Sequence, residues 1–282
     1  MQKIGAHVSA SGGVQNAPLN AAREHCDVFQ FFLSSPQSYN IGELRDETIV
    51  TFKKNCNDNG FKEYYVHAPY IVNLASPNNR IRHGSITLLR KSLDHCSLLG
   101  VRGMMLHTVS ASGYENKIDG MHVAIASLNK ILDGYTGSTK LLIENAAGAG
   151  GTLGVTFEEV AELLCGIKNQ SCVGMCLDTQ HAFASGYDWR TSEGTTKALN
   201  ALSRTIGLRR LMVIQANDSK TEYKTLRPDL LIPTLRVLSE NKDNEYPQNL
   251  FEIGTVFKKD KSNETETSIT EHDNLIISLS PG

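Results

Sequence analysis

Residues 174–188 read GMCLDTQHAFASGYD. The apolar run Val173 to Leu177 leads directly into Asp178, with Thr179, Gln180 and His181 behind it. A short apolar run bounded by turn-formers reads as a buried strand. A carboxylate at the carboxyl end of such a strand and a histidine shortly after it can both face one point beyond the strand. An Asp in this position also serves as an ordinary helix cap or turn residue, so the pair alone decides nothing. Its recurrence along the chain does.

Apolar runs end in a potential metal ligand at VHAPY (His67), MMLHT (His107), LLIEN (Glu144), MCLDTQH (Asp178, His181) and NLFEIG (Glu252), while MVIQAND ends at Gln215. Positions 67, 107, 144, 178, 215 and 252 lie 40, 37, 34, 37 and 37 residues apart. One strand, one crossover helix and two loops occupy about 30 residues or more, so each step reads as one βα unit. KIGAHVS at 3–9 and DVFQFFLSS at 27–35 bring the strands to eight. Eight strands alternating with helices in a chain near ~250 residues predict an α/β fold, a (β/α)8 TIM barrel in a single domain. Residues 1–257 are assigned to the barrel. Residues 258–282 are read as a polar C-terminal tail with a short apolar end, LIISL.

The segments between strands fit this scheme. Residues 17–26, 81–99, 121–132 and 228–238 carry apolar residues at helical spacing. Thr156 followed by Phe157, Glu158 and Glu159 is a capping-box signature that opens a helix running through Leu164. In a barrel, residues just past the strand ends gather at one mouth, where catalysis is found. The histidines and carboxylates should therefore converge there.

The chain of 282 residues is 40% hydrophobic with a net charge of -2, which suits one large domain with a sizeable core. No apolar stretch approaches the ~18 residues of a membrane span, and the N-terminus lacks a signal-peptide pattern, so an intracellular protein without membrane association is expected. The six cysteines form no C-x-x-C pair and read as reduced thiols. No basic run stands out, so a nucleic-acid enzyme of this composition needs another source of positive field, for which bound metal ions qualify.

Taken in order, IGAHVSASGG, VHAPYIVNLASP, LHTVSASG, LIENAAGAGGTLG, CLDTQHAFASGYD and NDSK resemble the endonuclease IV family of apurinic/apyrimidinic DNA endonucleases. The resemblance runs from about Ile4 to Lys220. It implies a barrel that binds three zinc ions and hydrolyses the phosphodiester 5′ to an abasic site in double-stranded DNA, as in base excision repair. A monomer in the cytoplasm, or in the nucleus of a eukaryotic cell, is the corresponding expectation.

By that resemblance His67, His107 and Glu144 form one zinc site, with Glu144 bridging to a second that also uses Asp178 and Glu252. His181 would belong to the third. Tyr70 and Ile71 would form the loop that fills the gap left by an extruded nucleotide, with Asn73 beside them. At the second strand's loop, Gln37 stands where the family has an inserted Arg, and Tyr39 where it has an aromatic residue. His7 is read as a group supporting the ligands, or as a structural hydrogen-bonding residue. The family's seventh strand ends His-x-Asn-Asp, whereas this chain has Gln215, Ala216, Asn217 and Asp218. The family's later Asp-Arg-His-His segment has no counterpart, and no His occurs between His181 and His272. Two zinc sites are therefore expected, with the third lacking its ligands. A lesion-binding protein without turnover and a metal-dependent sugar isomerase-type barrel stand as alternatives.

Overall fold

In the computed structural model, residues 2–107, 109–148 and 150–217 are described, together with strands at 250–251, 255–259, 269–273 and 276–279. The apolar runs become strands β1 Gln2–His7, β2 Val28–Phe32, β3 Tyr64–His67, β4 Gly103–His107, β5 Lys140–Glu144, β6 Val173–Asp178, β7 Leu211–Gln215 and β8 Leu250–Phe251. β3 and β6 are buried at every position, as expected for strands covered on both faces. Between them run α1 Ala17–Arg23, α2 Asp46–Asp58, α3 Asn79–Leu99, α4 Lys117–Leu132, α5 Phe157–Gly166, the short α6 Thr179–Ala184, and α7 Ser192–Thr205. Neighbouring strands from β1 to β8 pair in parallel and in chain order. This is the curled parallel sheet of a TIM barrel, as the strand spacing predicts.

The pleat sorts side chains between the barrel interior and the helix layer. Phe29 and Phe31 pack against Phe52 of α2 at ring distances of 6.4 and 5.5 Å, so Gln30 between them faces inward. α3 starts where the Asn78 side chain accepts from the Arg80 and Ile81 amides, and it ends at Gly100 in the left-handed conformation. Its buried face carries Leu88, Leu89, Leu93, Cys96 and Leu99. Thr156 caps α5 by accepting from the Glu159 amide at 3.2 Å. The Glu159 carboxylate accepts from Val155 at 3.0 Å, one residue earlier than a reciprocal capping box requires. Gly5 permits a close approach of β1 to β2, because a Cβ there would lie 1.5 Å from the Val28 carbonyl oxygen.

The helices at 46–58 and 192–205 add to those read from spacing, while the one expected over 228–238 lies outside the described residues. At the C-terminal end, β9 Thr255–Lys259 and β10 Ile269–Asp273 form a separate antiparallel pair. Residues 258–259 and 269–273, placed by composition in a polar tail, thus lie in strands, and β9 crosses the expected domain boundary. β11 Ile276–Leu279, within the apolar end, pairs antiparallel with β1 from Gln2↔Leu279 to Gly5↔Ile276. Among the described residues no helix is long and apolar enough to cross a membrane. All six cysteines are free, and Cys56, Cys96 and Cys176 are buried.

Candidate metal centre

Four adjacent strands deliver the centre. His67, His107, Glu144 and Asp178 are the last residues of β3, β4, β5 and β6, and His181 follows in the first turn of α6. The ladder pairs His107 directly with Glu144, so these side chains rise together at the carboxyl ends of the strands. His67 Nε2 lies 3.5 Å from Glu144 Oε2, and His107 Nε2 lies 3.7 Å from Glu144 Oε1. His181 Nδ1 is 3.3 Å from Glu144 Oε1 and 3.8 Å from Asp178 Oδ2. Two ligand groups result, His67–His107–Glu144 and Glu144–Asp178–His181. In each, one donor atom per residue lies within 4.8 Å of the others.

The hydrogen bonds aim these donors. His67 Nδ1 sits 2.7 Å from the Ala68 carbonyl oxygen. A carbonyl only accepts, so Nδ1 carries the proton and a neutral His67 turns the Nε2 lone pair toward Glu144. His181 Nδ1 is likewise aimed at the Asn145 carbonyl, at 3.0 Å. Its contact with Glu144 is therefore electrostatic rather than a hydrogen bond. Glu144 is fully buried, and neither of its carboxylate oxygens has a hydrogen-bond partner among the described residues. A buried carboxylate without donors is costly unless a charge compensates it. Ligand atoms ~2.0–2.2 Å from a tetrahedral zinc sit roughly 3.3–3.6 Å apart, close to the spacings here. An anion faced by the Nε2 atoms of His67 and His107 at 3.5 and 3.7 Å fits a divalent cation.

Burial favours the neutral form of Glu144, but His107, His181 and His67 together hold its carboxyl well below the usual range. Burial holds His107 down to about 4, against the attraction of Glu144, so it is neutral at pH 7. Burial also pushes Asp178 up to about 6, opposed by His181. For His181 burial acts downward, but Glu144 and Asp178 outweigh it, and the imidazole is pushed up to about 9. Asp178 both caps α6, accepting from the His181 amide at 2.7 Å, and faces the cluster, where Asn217 Nδ2 donates to its Oδ2 at 3.4 Å. The helix-cap and ligand readings of Asp178 are both present in one side chain.

Tyr70 rests over the cluster, its ring 5.0 Å from His67 and 5.4 Å from His107, yet it is 57% exposed. Ile71 beside it is also exposed. The Tyr39 hydroxyl donates to the Ile71 carbonyl at 3.0 Å, and the Tyr70 amide donates to Pro36 at 2.9 Å. The second and third strand loops are thus tied together under the two side chains. Gln37 is exposed on the outer loop. Asn73 turns its side-chain oxygen inward to accept from the Ala75 amide at 3.0 Å. The glycine-rich loop after β5 is pinned to the loop after β4, with Ala111 donating to Gly151 and Leu153 to Val109.

His7 and Gln215 meet through a residue that the sequence reading did not single out. Gln215 Nε2 donates to Gln30 Oε1 at 3.2 Å, and Gln30 Nε2 donates to His7 Nδ1 at 2.8 Å. His7 therefore carries its neutral-state proton on Nε2, and burial with the nearby His67 holds its pKa down to about 3. The visible signal was a Gln inside the apolar run VFQFF. Asn145, directly behind Glu144, was also missed. Glu252 lies outside the described residues.

The xylose isomerase-like TIM barrel family matches residues 19–242. A protein named probable endonuclease 4 from Campylobacter hominis is 36% identical over 224 residues, covering 79% of this chain and 79% of that protein. The chain belongs to the endonuclease IV family. The crystal structure of endonuclease IV from Thermus thermophilus is 29% identical with a TM-score of 0.71, covering 87% of this chain and 90% of the other. A D-tagatose 3-epimerase-like protein shares the barrel at 19% identity and a TM-score of 0.62, over 88% of this chain and 89% of its own, a likeness of fold alone. Gln215, which stands where the family resemblance leads one to expect a histidine, has its amide nitrogen engaged by Gln30.

Proposed function

We propose that this protein is a metal-dependent endonuclease that hydrolyses the phosphodiester 5′ to abasic sites in double-stranded DNA, with zinc as its metal. The observation that carries this reading is Glu144, a buried carboxylate without hydrogen-bond donors among the described residues, set between three imidazoles at 3.3–3.7 Å. His67, His107 and Glu144 would hold one ion, and Glu144, Asp178 and His181 a second, with Glu252 a further ligand. Two ions per chain follow. A zinc pair supplies Lewis acidity at the scissile phosphate and lowers the pKa of water for attack on phosphorus.

The chain's own residues do the rest. Attack by water forms a new P–O bond and breaks the bond from phosphorus to the 3′ oxygen, which leaves as a 3′-hydroxyl. The phosphate stays on the 5′ side of the deoxyribose. Glu144, ionised across the neutral range and shared by both ligand groups, would serve both sides of the centre and keep its two halves in register. The Ala68 carbonyl holds the His67 ring so that Nε2 faces inward, the usual way an outer partner fixes a histidine ligand. Tyr70 and Ile71 offer an aromatic and an aliphatic surface to replace the stacking lost when the abasic nucleotide is extruded. With a net charge of -2 on the chain, metal ions at the centre would supply positive field for the DNA phosphates.

A lesion-binding protein with little turnover is the second reading, and Gln215 favours it, because an amide stands at a position where the family pattern has imidazole. A nicking assay on a duplex with one abasic site, run with zinc-loaded protein, separates the two. The parent should cut 5′ to the lesion and Glu144→Gln should not. Full activity in Glu144→Gln would remove the proposed centre, while tight binding without cutting by the parent would leave the second reading.

A further inference from the structure

The ladder between β5 and β6 ends at the pair Glu144↔Cys176, two residues short of Asp178. Beyond it no backbone of β5 reaches Asp178, and a side chain takes over. Asn145 Nδ2 donates to the Asp178 carbonyl at 3.0 Å, and the Asp178 amide donates to Asn145 Oδ1 at 2.8 Å. Both residues are buried, Asn145 to 1% exposure. The carboxamide thus copies the two hydrogen bonds that one more ladder pair would make. The backbone carbonyl of the same residue accepts from His181 Nδ1 at 3.0 Å. One asparagine therefore fixes the backbone from which the Asp178 carboxylate projects and also the ring orientation of His181. Its own backbone follows Glu144 directly.

We infer that Asn145 is a positioning residue that assembles the Asp178–His181 half of the centre on the Glu144 strand. The inference rests on the reading of the cluster as a metal centre, not on the DNA reaction. Loss of the carboxamide frees the end of β6 without touching a ligand or the His67–His107 half. Outer partners of this kind change metal affinity by roughly 10–100-fold. Asn145→Ala should therefore weaken one zinc step at least ~10-fold and leave the other within a few-fold of the parent.

The test is a competitive zinc titration against a chromophoric chelator on the full chain. It is paired with cadmium-113 NMR, in which each half of the centre gives its own resonance. Far-UV circular dichroism of the metal-free variant checks folding, and Asn145→Ser, whose hydroxyl is too short to bridge both Asp178 groups, gives the same readout where the alanine variant does not fold. Selective weakening of one step, with the His67–His107 resonance unchanged, is the expected result. Two parent-like steps would overturn the inference, and so would equal weakening of both, which marks a general structural role. A parent that binds two ions in this titration yet leaves abasic DNA uncut would refute the endonuclease reading and leave Asn145 as proposed.

Discussion

Tyr70 occupies two environments at once. Its ring leans on His67 and His107, while more than half of its surface faces solvent. An exposed aromatic ring held over a buried anionic centre is poised to trade solvent for a base stack. One base–aromatic stack is worth about 1–3 kcal/mol, so Tyr70→Ala should weaken binding to an abasic duplex by that amount. Binding to an undamaged duplex of the same length should change less. Fluorescence anisotropy at fixed salt measures both, and equal affinities of variant and parent for the lesion would mean that the loop stays outside the DNA. At this scale the clustering of His67, His107, Glu144 and Asp178 was legible because each ends an apolar strand, and strand ends of a barrel share one mouth. Asn145 and Gln30 were not legible, because their roles lie in hydrogen bonds to residues 33 and 185 positions away. A polar residue within or beside an apolar run announces burial but not its partner.

Secondary elements were legible in proportion to how local their causes are. Thr156 and Glu159 sit within one turn of each other, and the start of α5 follows from them directly. The 3.2 Å bond from the Glu159 amide to Thr156 Oγ1 satisfies one of the four amides that the first turn leaves open. Thr156→Ala should cost about 0.5–2 kcal/mol, the usual range for loss of a cap, while Thr156→Ser should cost little. Urea denaturation of both variants checks this, and equal stability of the alanine variant and the parent would show that the Val155–Glu159 bond alone carries the helix start. The C-terminal strands had no such local cause. β11 pairs with β1, and β10 with β9. Composition, which sees only polarity, read that region as a tail. The pairing of β11 with β1 is a property of the assembled sheet.

For the whole molecule, the barrel concentrates charge that only an ion or a proton can balance. In the metal-free protein the proton resides on His181, which Glu144 and Asp178 push up to about 9 from an ordinary value of 6.5. A folded-state pKa above the unfolded one gives stability that is fully present below the unfolded value. That contribution is lost as pH rises through the folded value. The His181 contribution in metal-free protein should therefore be complete below about pH 6.5 and gone above about pH 9. Zinc reverses the dependence, because a coordinating imidazole must be deprotonated and metal binding competes with the proton. Raising the pH over the same window should tighten zinc binding and widen the stability gap between loaded and metal-free protein. The comparison that isolates the group is metal-free parent against metal-free His181→Gln, both followed by thermal unfolding from pH 6 to pH 9.5. The parent's Tm should fall relative to the variant across that range, and zinc-loaded parent should show no such fall. A parent and variant that run parallel at every pH would mean that His181 is not paired with Glu144 and Asp178 in solution. The centre would then be assembled only when metal arrives.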